Sequence, residues 1–558
     1  MKKMTRFAAI AAAMTLAACV AVPAMSFTAS AERTGSISIT DESGATHNTL
    51  SAFQIFTADV DGNKNLIVTG WGNGVNVSDL SDAIVADNGL NTAIGALENT
   101  VDGAKAAAEK ISVLTDENAN KLARLIAQNT TGSGKAAEAI SGNTSITGLD
   151  TGYYIVKDTA AAVKDNYTSY TLGLLTVVNG EATTATTKMD FPSFDKQIGD
   201  INDTLDEAGA YNFDEAADHD IGDSVPFKLI AAVPSNLNKY DTYKMIFHDN
   251  LQDTVFTLNN DVTVTYYESD SDETGTNVTS AFTKTTSGDV NTAFSDTHGD
   301  QTEDLTLTCA DIKSITGITP AAGGRFEVSY TATLTSEAKI GTPGNWNSAY
   351  LEYSNNPNVS GSGDTDNTGT SPEDSVVAFT YQAVVNKVDE KNQPLPGATF
   401  TLEKKLQDNT TIGCGVVTAN AGATFVFNGL DDGTYILTET KAPDGGYVGI
   451  DPITFTITGG EVKTEGSEAI GTPSVSSENN DFAAANVYLL SGEGDAKTAE
   501  EGTDAGAFDA TVINRKGTSL PTTGGTGTVL FAVVGSLLAA GAGTVLIAKK
   551  RAKGAAEQ

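Results

Sequence analysis

Cysteine is scarce: the 558-residue chain holds three, and Cys19 falls inside an apolar N-terminal stretch. The other two, Cys309 and Cys414, lie in different regions, which argues against a disulfide framework. Basic charge is also scarce, with 34 Lys and Arg against 71 Asp and Glu, a net charge of -37 and a pI near 4.3. Without clustered Lys and Arg, nucleic acid is excluded as a partner. Four histidines, His47, His219, His248 and His298, show no metal-ligand spacing. No Ser-His-Asp set or phosphate-cradling loop stands out, so neither a metal nor a cofactor is expected. The acidic stretch Glu268-Ser-Asp-Ser-Asp-Glu273 reads as a solvated loop rather than a calcium site.

What is plentiful is Gly, Thr, Ser, Asp and Asn, together with two-faced runs such as Val262-Thr-Val-Thr-Tyr-Tyr267 and Phe326-Glu-Val-Ser-Tyr-Thr-Ala332. That alternation predicts antiparallel β-sandwiches, and the length predicts about three of them. The expected division is a signal peptide over 1–31, an N-terminal domain over 32–187, a middle domain over 188–375, a C-terminal domain over 376–516 and a terminal signal over 517–558. The first domain mixes strands with inserted helices. Thr115 and Asp116 are placed to cap a helix whose Leu122, Leu125 and Ile126 share a face.

Both ends carry addresses. Met1-Lys-Lys-Met-Thr-Arg6, an apolar run to about Phe27 and Ala29-Ser-Ala31 make a secretory signal peptide. Leu16-Ala-Ala-Cys19 also has the form of a lipoprotein cleavage box, less compatible with an anchor at the other end. At the C-terminus, Leu520, Pro521, Thr522, Thr523 and Gly524 precede an apolar segment from Thr528 to Ala548 and the basic Lys549-Lys-Arg-Ala-Lys553. The segment is long enough to span a bilayer as a helix, with the basic tail at its cytoplasmic side. This order resembles the LPXTG sorting signal of Gram-positive sortase substrates. The resemblance implies cleavage between Thr523 and Gly524 and transfer of the Thr523 carbonyl to an amine, after transient insertion in the membrane.

The C-terminal domain contains Val385-Asn-Lys387-Val-Asp389, Tyr435-Ile-Leu-Thr-Glu439-Thr-Lys-Ala-Pro443 and Val512-Ile-Asn514-Arg-Lys516. These resemble the collagen-adhesin B-type domain family, whose members form Lys-Asn isopeptide bonds. The resemblance implies a bond from Lys387 to Asn514, promoted by Glu439. An apolar core would depress the Lys387 pKa and raise that of Glu439, giving a neutral amine and a protonated acid.

The middle domain resembles fimbrial isopeptide-forming domains through Pro192-Ser-Phe-Asp-Lys196 and Asn347-Ser-Ala-Tyr-Leu-Glu-Tyr-Ser-Asn355. Lys196 would join Asn347, with Asn355 as the alternative, and Asp249 is the expected acid ahead of Asp223 and Glu215. Lys188, in Thr187-Lys188-Met-Asp-Phe-Pro192, sits where backbone pilins carry the lysine that receives the next subunit, although the usual Tyr-Pro-Lys form is absent. A free Lys188 is expected to be exposed.

Together these resemblances imply a mainly β major pilin of three tandem immunoglobulin-like or collagen-adhesin B-type sandwiches. It would be a structural substrate rather than a turnover enzyme. The implied partners are a class C pilin-type sortase, a housekeeping sortase, identical pilin subunits, minor pilins and peptidoglycan. The competing expectation is a monomeric wall-anchored adhesin.

Overall fold

Buried and exposed side chains alternate along the strands, as in Arg325–Leu334, where Phe326, Val328, Tyr330, Ala332 and Leu334 all enter one core. The computed structural model describes residues 34–517 apart from 47–49, 62–64, 138–142, 253, 295–301, 342–343, 360–366, 419–421, 460–473, 478–482, 492–497 and 502–506. The chain is mainly β. The signal peptide, the Leu520–Gly524 pentapeptide, the C-terminal apolar segment and the basic tail lie outside the described residues. Among the described residues no helix is long and apolar enough to cross a membrane.

In the first region, strands Leu66–Trp71, Leu50–Val60, Gly152–Asp158 and Leu174–Val178 form one sheet in that order. Thr34–Thr40 pairs parallel with Ala182–Thr186 and antiparallel with Asn143–Asp150 in a second sheet. Four helices, Val77–Ala86, Asn88–Ala93, Val101–Ile111 and Asp116–Gln128, separate the strands. The Thr115 hydroxyl accepts from the Asn118 N–H at the start of the last one. That cap satisfies a donor the helix leaves open, and Leu122 and Ile126 then reach the core with Leu125 half-buried beside them.

The middle region is a sandwich of two sheets. One holds Phe194–Asp200, Ser224–Ala232, Arg325–Leu334 and Thr263–Tyr267 as neighbours; the other holds Asp374–Phe379, Asn345–Ser354, Met245–Leu251 and Leu305–Cys309. Phe194 of the first sheet and Phe247 of the second meet across the core with ring centroids 6.4 Å apart.

In the third region, the first and last strands, Tyr381–Val388 and Ala507–Ile513, lie side by side and parallel, from Gln382 opposite Ala507 to Val388 opposite Ile513. The facing sheet is built on Thr411–Thr418, Thr399–Lys405, Gly433–Lys441 and Ile453–Thr458. Phe400 and Phe425 close the core between the sheets, 4.8 Å apart.

Side-chain and backbone hydrogen bonds fasten the regions to one another. Between the first and second, Arg124 bonds the Lys239 carbonyl and Asp241, and Asn358 Nδ2 donates to the Thr171 carbonyl at 2.8 Å. Between the second and third, Ile221 N donates to the Gly429 carbonyl at 3.0 Å and Gln407 N to the Asp203 carbonyl at 2.8 Å.

Candidate crosslinking sites and the cell-wall anchor

Lys196 sits on an inner strand of one middle-domain sheet, while Asp249 and Asn347 sit on adjoining strands of the other. All three are buried to within 1 %. Lys196 Nζ lies 2.5 Å from Asp249 Oδ2. Between amine and amide stands Tyr330, whose hydroxyl donates to Asp249 Oδ2 at 2.8 Å and accepts from Lys196 Nζ at 3.1 Å and Asn347 Nδ2 at 2.8 Å. Burial pushes the Lys196 amine below its ordinary pKa, with Asp249 opposing, and pushes the Asp249 carboxyl above its own, with Lys196 opposing. Both shifts run toward the neutral pair. A bond here would tie one sheet to the other.

The alternatives fall elsewhere. Asn355 lies at the seam with the first region, where its Nδ2 donates to Thr168 Oγ1 at 3.0 Å, because the strand bearing Asn347 has ended at Ser354. Asp223 accepts from the Asp220 N–H at 3.1 Å, beyond the turn that precedes Ser224–Ala232.

In the third region the parallel pairing of first and last strands sets Lys387 against the end of Ala507–Ile513. Lys387 is fully buried and its Nζ donates to the Val512 carbonyl at 2.9 Å. Burial pulls its pKa down to about 8, with Glu439 opposing. Asn514 is equally buried, and its Nδ2 lies 2.9 Å from both Glu439 oxygens. Glu439 reaches across from the facing sheet and is only half-buried, since its strand leaves the core after Leu437; an apolar core around it was the expectation. Glu439 Oε2 also accepts from the Ile450 N–H at 3.0 Å. The Oδ1 atoms of Asn347 and Asn514 are buried with no hydrogen-bond partner among the described residues. Each is an orphaned acceptor that a protonated acid would satisfy.

Lys188 lies at the junction of the first and middle regions, its N–H donating to Thr171 Oγ1 at 2.8 Å. It is half-buried, not exposed as its linker position suggested, because the connection is packed into the seam. Burial lowers its pKa, the Lys239 ammonium adds to this and Asp116 opposes it.

Sequence reasoning missed Tyr330, Asp374 and Lys404. Asp374 Oδ2 accepts from the Lys196 N–H at 2.7 Å, and burial raises its pKa to about 6. Lys404 is as buried as Lys387 but is held charged: its burial is outweighed by Asp431, Asp220 and Asp203, which raise its pKa. Tyr330 was legible only as one inward position of an alternating strand.

Residues 382–469 match the SpaA family, described as a prealbumin-like fold domain, and residues 514–554 match the LPXTG cell wall anchor motif. The T6 backbone pilin of serotype M6 Streptococcus pyogenes, a modular three-domain structure with variable loops and extensions, superposes over 88% of this chain and 100% of its own at a TM-score of 0.52 and 17% identity. The chain has the fold of a backbone pilin. In sequence, this pilin-like chain is 30% identical over 267 residues to the trypsin-resistant surface T6 protein of Streptococcus pyogenes serotype M6, covering 40% of the chain. It spans about half, 48%, of the length of that curated relative. The full-length major pilin SpaD from Corynebacterium diphtheriae is also similar, over 87% of this chain and 98% of its own, at a TM-score of 0.42 and 14% identity. Carrying the anchor motif, the pilin-fold chain belongs at the cell surface, attached to the wall.

Proposed function

We propose that the protein is the shaft subunit of a covalent pilus, polymerised by a pilin-type sortase and fixed to peptidoglycan by a housekeeping sortase. The observation that carries this reading is a fold similar to that of the T6 backbone pilin together with an LPXTG anchor motif. Sortase would break the Thr523–Gly524 peptide bond, hold the Thr523 carbonyl as a thioester and pass it to the Lys188 amine of the next subunit, freeing the thiol. The depressed pKa of Lys188 supports this role, because a larger share of its amine is neutral and nucleophilic.

Within each of the last two domains, a neutral lysine attacks the asparagine Cγ, the neighbouring acid carries a proton to the departing nitrogen, and ammonia leaves as the amide forms. Glu439 serves Lys387 and Asn514; Asp249 serves Lys196 and Asn347. The sandwiches supply proximity by holding the groups against one another before reaction. The protein is in this reading a structural substrate that reacts once with itself, not a turnover enzyme. Minor pilins would join the same polymer.

A Lys188→Ala strain tests the polymer directly. Wall extracts boiled in detergent should lose their high-mass ladder, and digestion of the wild-type polymer should yield a Thr523–Lys188 branched peptide. A ladder that persists in Lys188→Ala overturns Lys188 as the acceptor; a wild-type wall fraction with monomer alone favours an anchored adhesin.

A further inference from the structure

The seam between the middle and third domains gathers carboxylates that neither the crosslinking chemistry nor the anchor uses. Asp203, Asp218 and Asp220 come from the middle domain; Asp431 and Asp432 form the turn between strands Thr424–Leu430 and Gly433–Lys441. Lys404 Nζ answers part of this charge, lying 2.8 Å from Asp203 Oδ2, 2.9 Å from Asp220 Oδ2 and 3.0 Å from Asp431 Oδ2. One ammonium is thus divided among three carboxylates.

A second grouping shares Asp431 but not the ammonium. One oxygen from each of Asp218, Asp431 and Asp432 lies within 4.8 Å of the other two. Asp218 is 8 % exposed, its N–H donates to Asp200 Oδ1 at 3.2 Å, and its carboxyl meets the Tyr381 hydroxyl and Asp200. Yet Asp218 Oδ2 and Asp432 Oδ1 are buried without a hydrogen-bond partner among the described residues. Space beside Asp218 Oδ2 is kept by a glycine: a Cβ on Gly459 would lie 2.4 Å from that oxygen.

Buried carboxylate oxygens with no donor are costly, and like charges this close cannot all ionise without a counter-charge. The donors are all oxygens, the chemistry of a hard cation rather than of zinc or copper. An ion that holds oxygens at about 2.4 Å bridges oxygens up to about 4.8 Å apart. Asp431 can take part while still bonding Lys404, because each carboxylate oxygen has a second lone pair.

We infer that Asp218, Asp431 and Asp432 form a divalent-cation site, fitted to calcium, which fastens the third domain to the middle one. Extracellular calcium modules bind at about 10⁻⁴–10⁻³ M, so a wall-anchored chain needs no tighter site. Bound calcium bridges Asp218 of one domain and the 431–432 turn of the next, and so stiffens that joint of the rod. This does not depend on either isopeptide bond.

The test is isothermal titration of the full chain, stripped with EDTA, with calcium chloride, paired with thermal unfolding in EDTA and in millimolar calcium. Wild type should show a saturable heat and melt at a higher temperature with calcium. Asp218→Asn should lose both responses; with one repelling charge removed, it should melt in EDTA no lower than wild type does. Asp432→Asn gives a second variant in case the first fails to fold. A calcium response equal in wild type and both variants overturns the site. So does stabilisation by acid with no calcium heat, which would mean that the carboxylates share a proton instead.

Discussion

Lys196 Nζ faces Asp249 Oδ2 at 2.5 Å with neither side chain exposed. The contact spans the two sheets of the middle domain, and burial drives each partner toward its neutral form. A neutral amine beside a protonated acid is the state that amide exchange requires. Asp249→Ala is therefore expected to leave the bond unformed, so the chain stays heavier by one ammonia. It also leaves the buried amine without its acid partner, at a cost of about 1–3 kcal/mol beyond that of the lost crosslink. Intact mass and thermal unfolding read the two effects separately; an Asp249→Ala chain that still loses ammonia at this site removes the acid from the mechanism.

Tyr330 gives a subtler prediction. Its hydroxyl touches the amine, the acid and the amide together, so it positions all three. Tyr330→Phe keeps the ring, which stacks 5.4 Å from Phe227, and deletes only the hydroxyl. Bond formation should become slow and incomplete, with crosslinked and open chains resolved by mass and the open fraction closing over time. Full crosslinking in freshly made Tyr330→Phe would show that Asp249 suffices.

Where the expectation rested on residue type and order, the sequence named side chains that the fold brings close together. Lys387 and Glu439 lie on strands of facing sheets and Asn514 directly follows the last strand, while Lys196 lies on the first strand of the middle sandwich and Asn347 on a late one. The helix capped by Thr115 was legible because a cap and a 3.6-residue period coincide there. What escaped were properties of the third dimension. Nothing local to Tyr330 says that its strand shares a sheet with that of Lys196, one strand removed across Ser224–Ala232. Lys404 reads as another strand lysine until Asp203 and Asp220 arrive from some 200 residues away. Lys188 looked exposed because a linker is; only the packed seam buries it.

The third-domain lysine yields a pH signature in a variant that cannot react. In Asn514→Ala, Lys387 remains a free amine with a folded pKa of about 8 against its ordinary 10.5. Between those values the unfolded chain binds more protons than the folded one, so stability should rise with pH from about 8 to about 10.5. The wild-type chain, its amine consumed in an amide, should show no such slope. Melting temperatures across that range decide it, and parallel curves for the two proteins would mean that Lys387 never titrates in either.

A second pH effect belongs to His248, which stacks 4.4 Å from Tyr350 with Nδ1 2.6 Å from Glu303 Oε1. Burial works against its charge, but the hydrogen bond to Glu303 and the Glu352 carboxylate 3.4 Å from Nε2 outweigh this and raise its pKa above the ordinary 6.5. The raised value means that its contribution is full below about 6.5 and fades as pH climbs through the folded pKa. His248 in turn holds Glu352 down to about 2, so the carboxylate contribution is present above the ordinary 4.5 and fades in acid. The network should stabilise most between about 4.5 and 6.5. His248→Gln should cost roughly 2 kcal/mol in that window and little at pH 9. Chemical denaturation at the two pH values measures this, and an equal loss at both would assign His248 to packing alone.

The joint between the first and middle domains rests on Asn358, 6 % exposed and matched on both sides. Its Oδ1 accepts from the Gly173 N–H at 2.8 Å, its Nδ2 donates to the Thr171 carbonyl at 2.8 Å, and its own carbonyl accepts from Gln128 Nε2 at 2.5 Å. Asn358→Ala leaves a buried donor and a buried acceptor unanswered, at about 1–3 kcal/mol each, without touching either crosslinking site. Because Lys188 is seated in the same seam against Thr171, the loosened joint should expose the Lys188 segment to trypsin. Both ammonia losses should remain complete by mass, since the cores that drive them lie elsewhere. Resistance to trypsin equal to wild type would show that Arg124 and its partners hold the joint without Asn358; loss of a crosslink would show that the domains do not react independently.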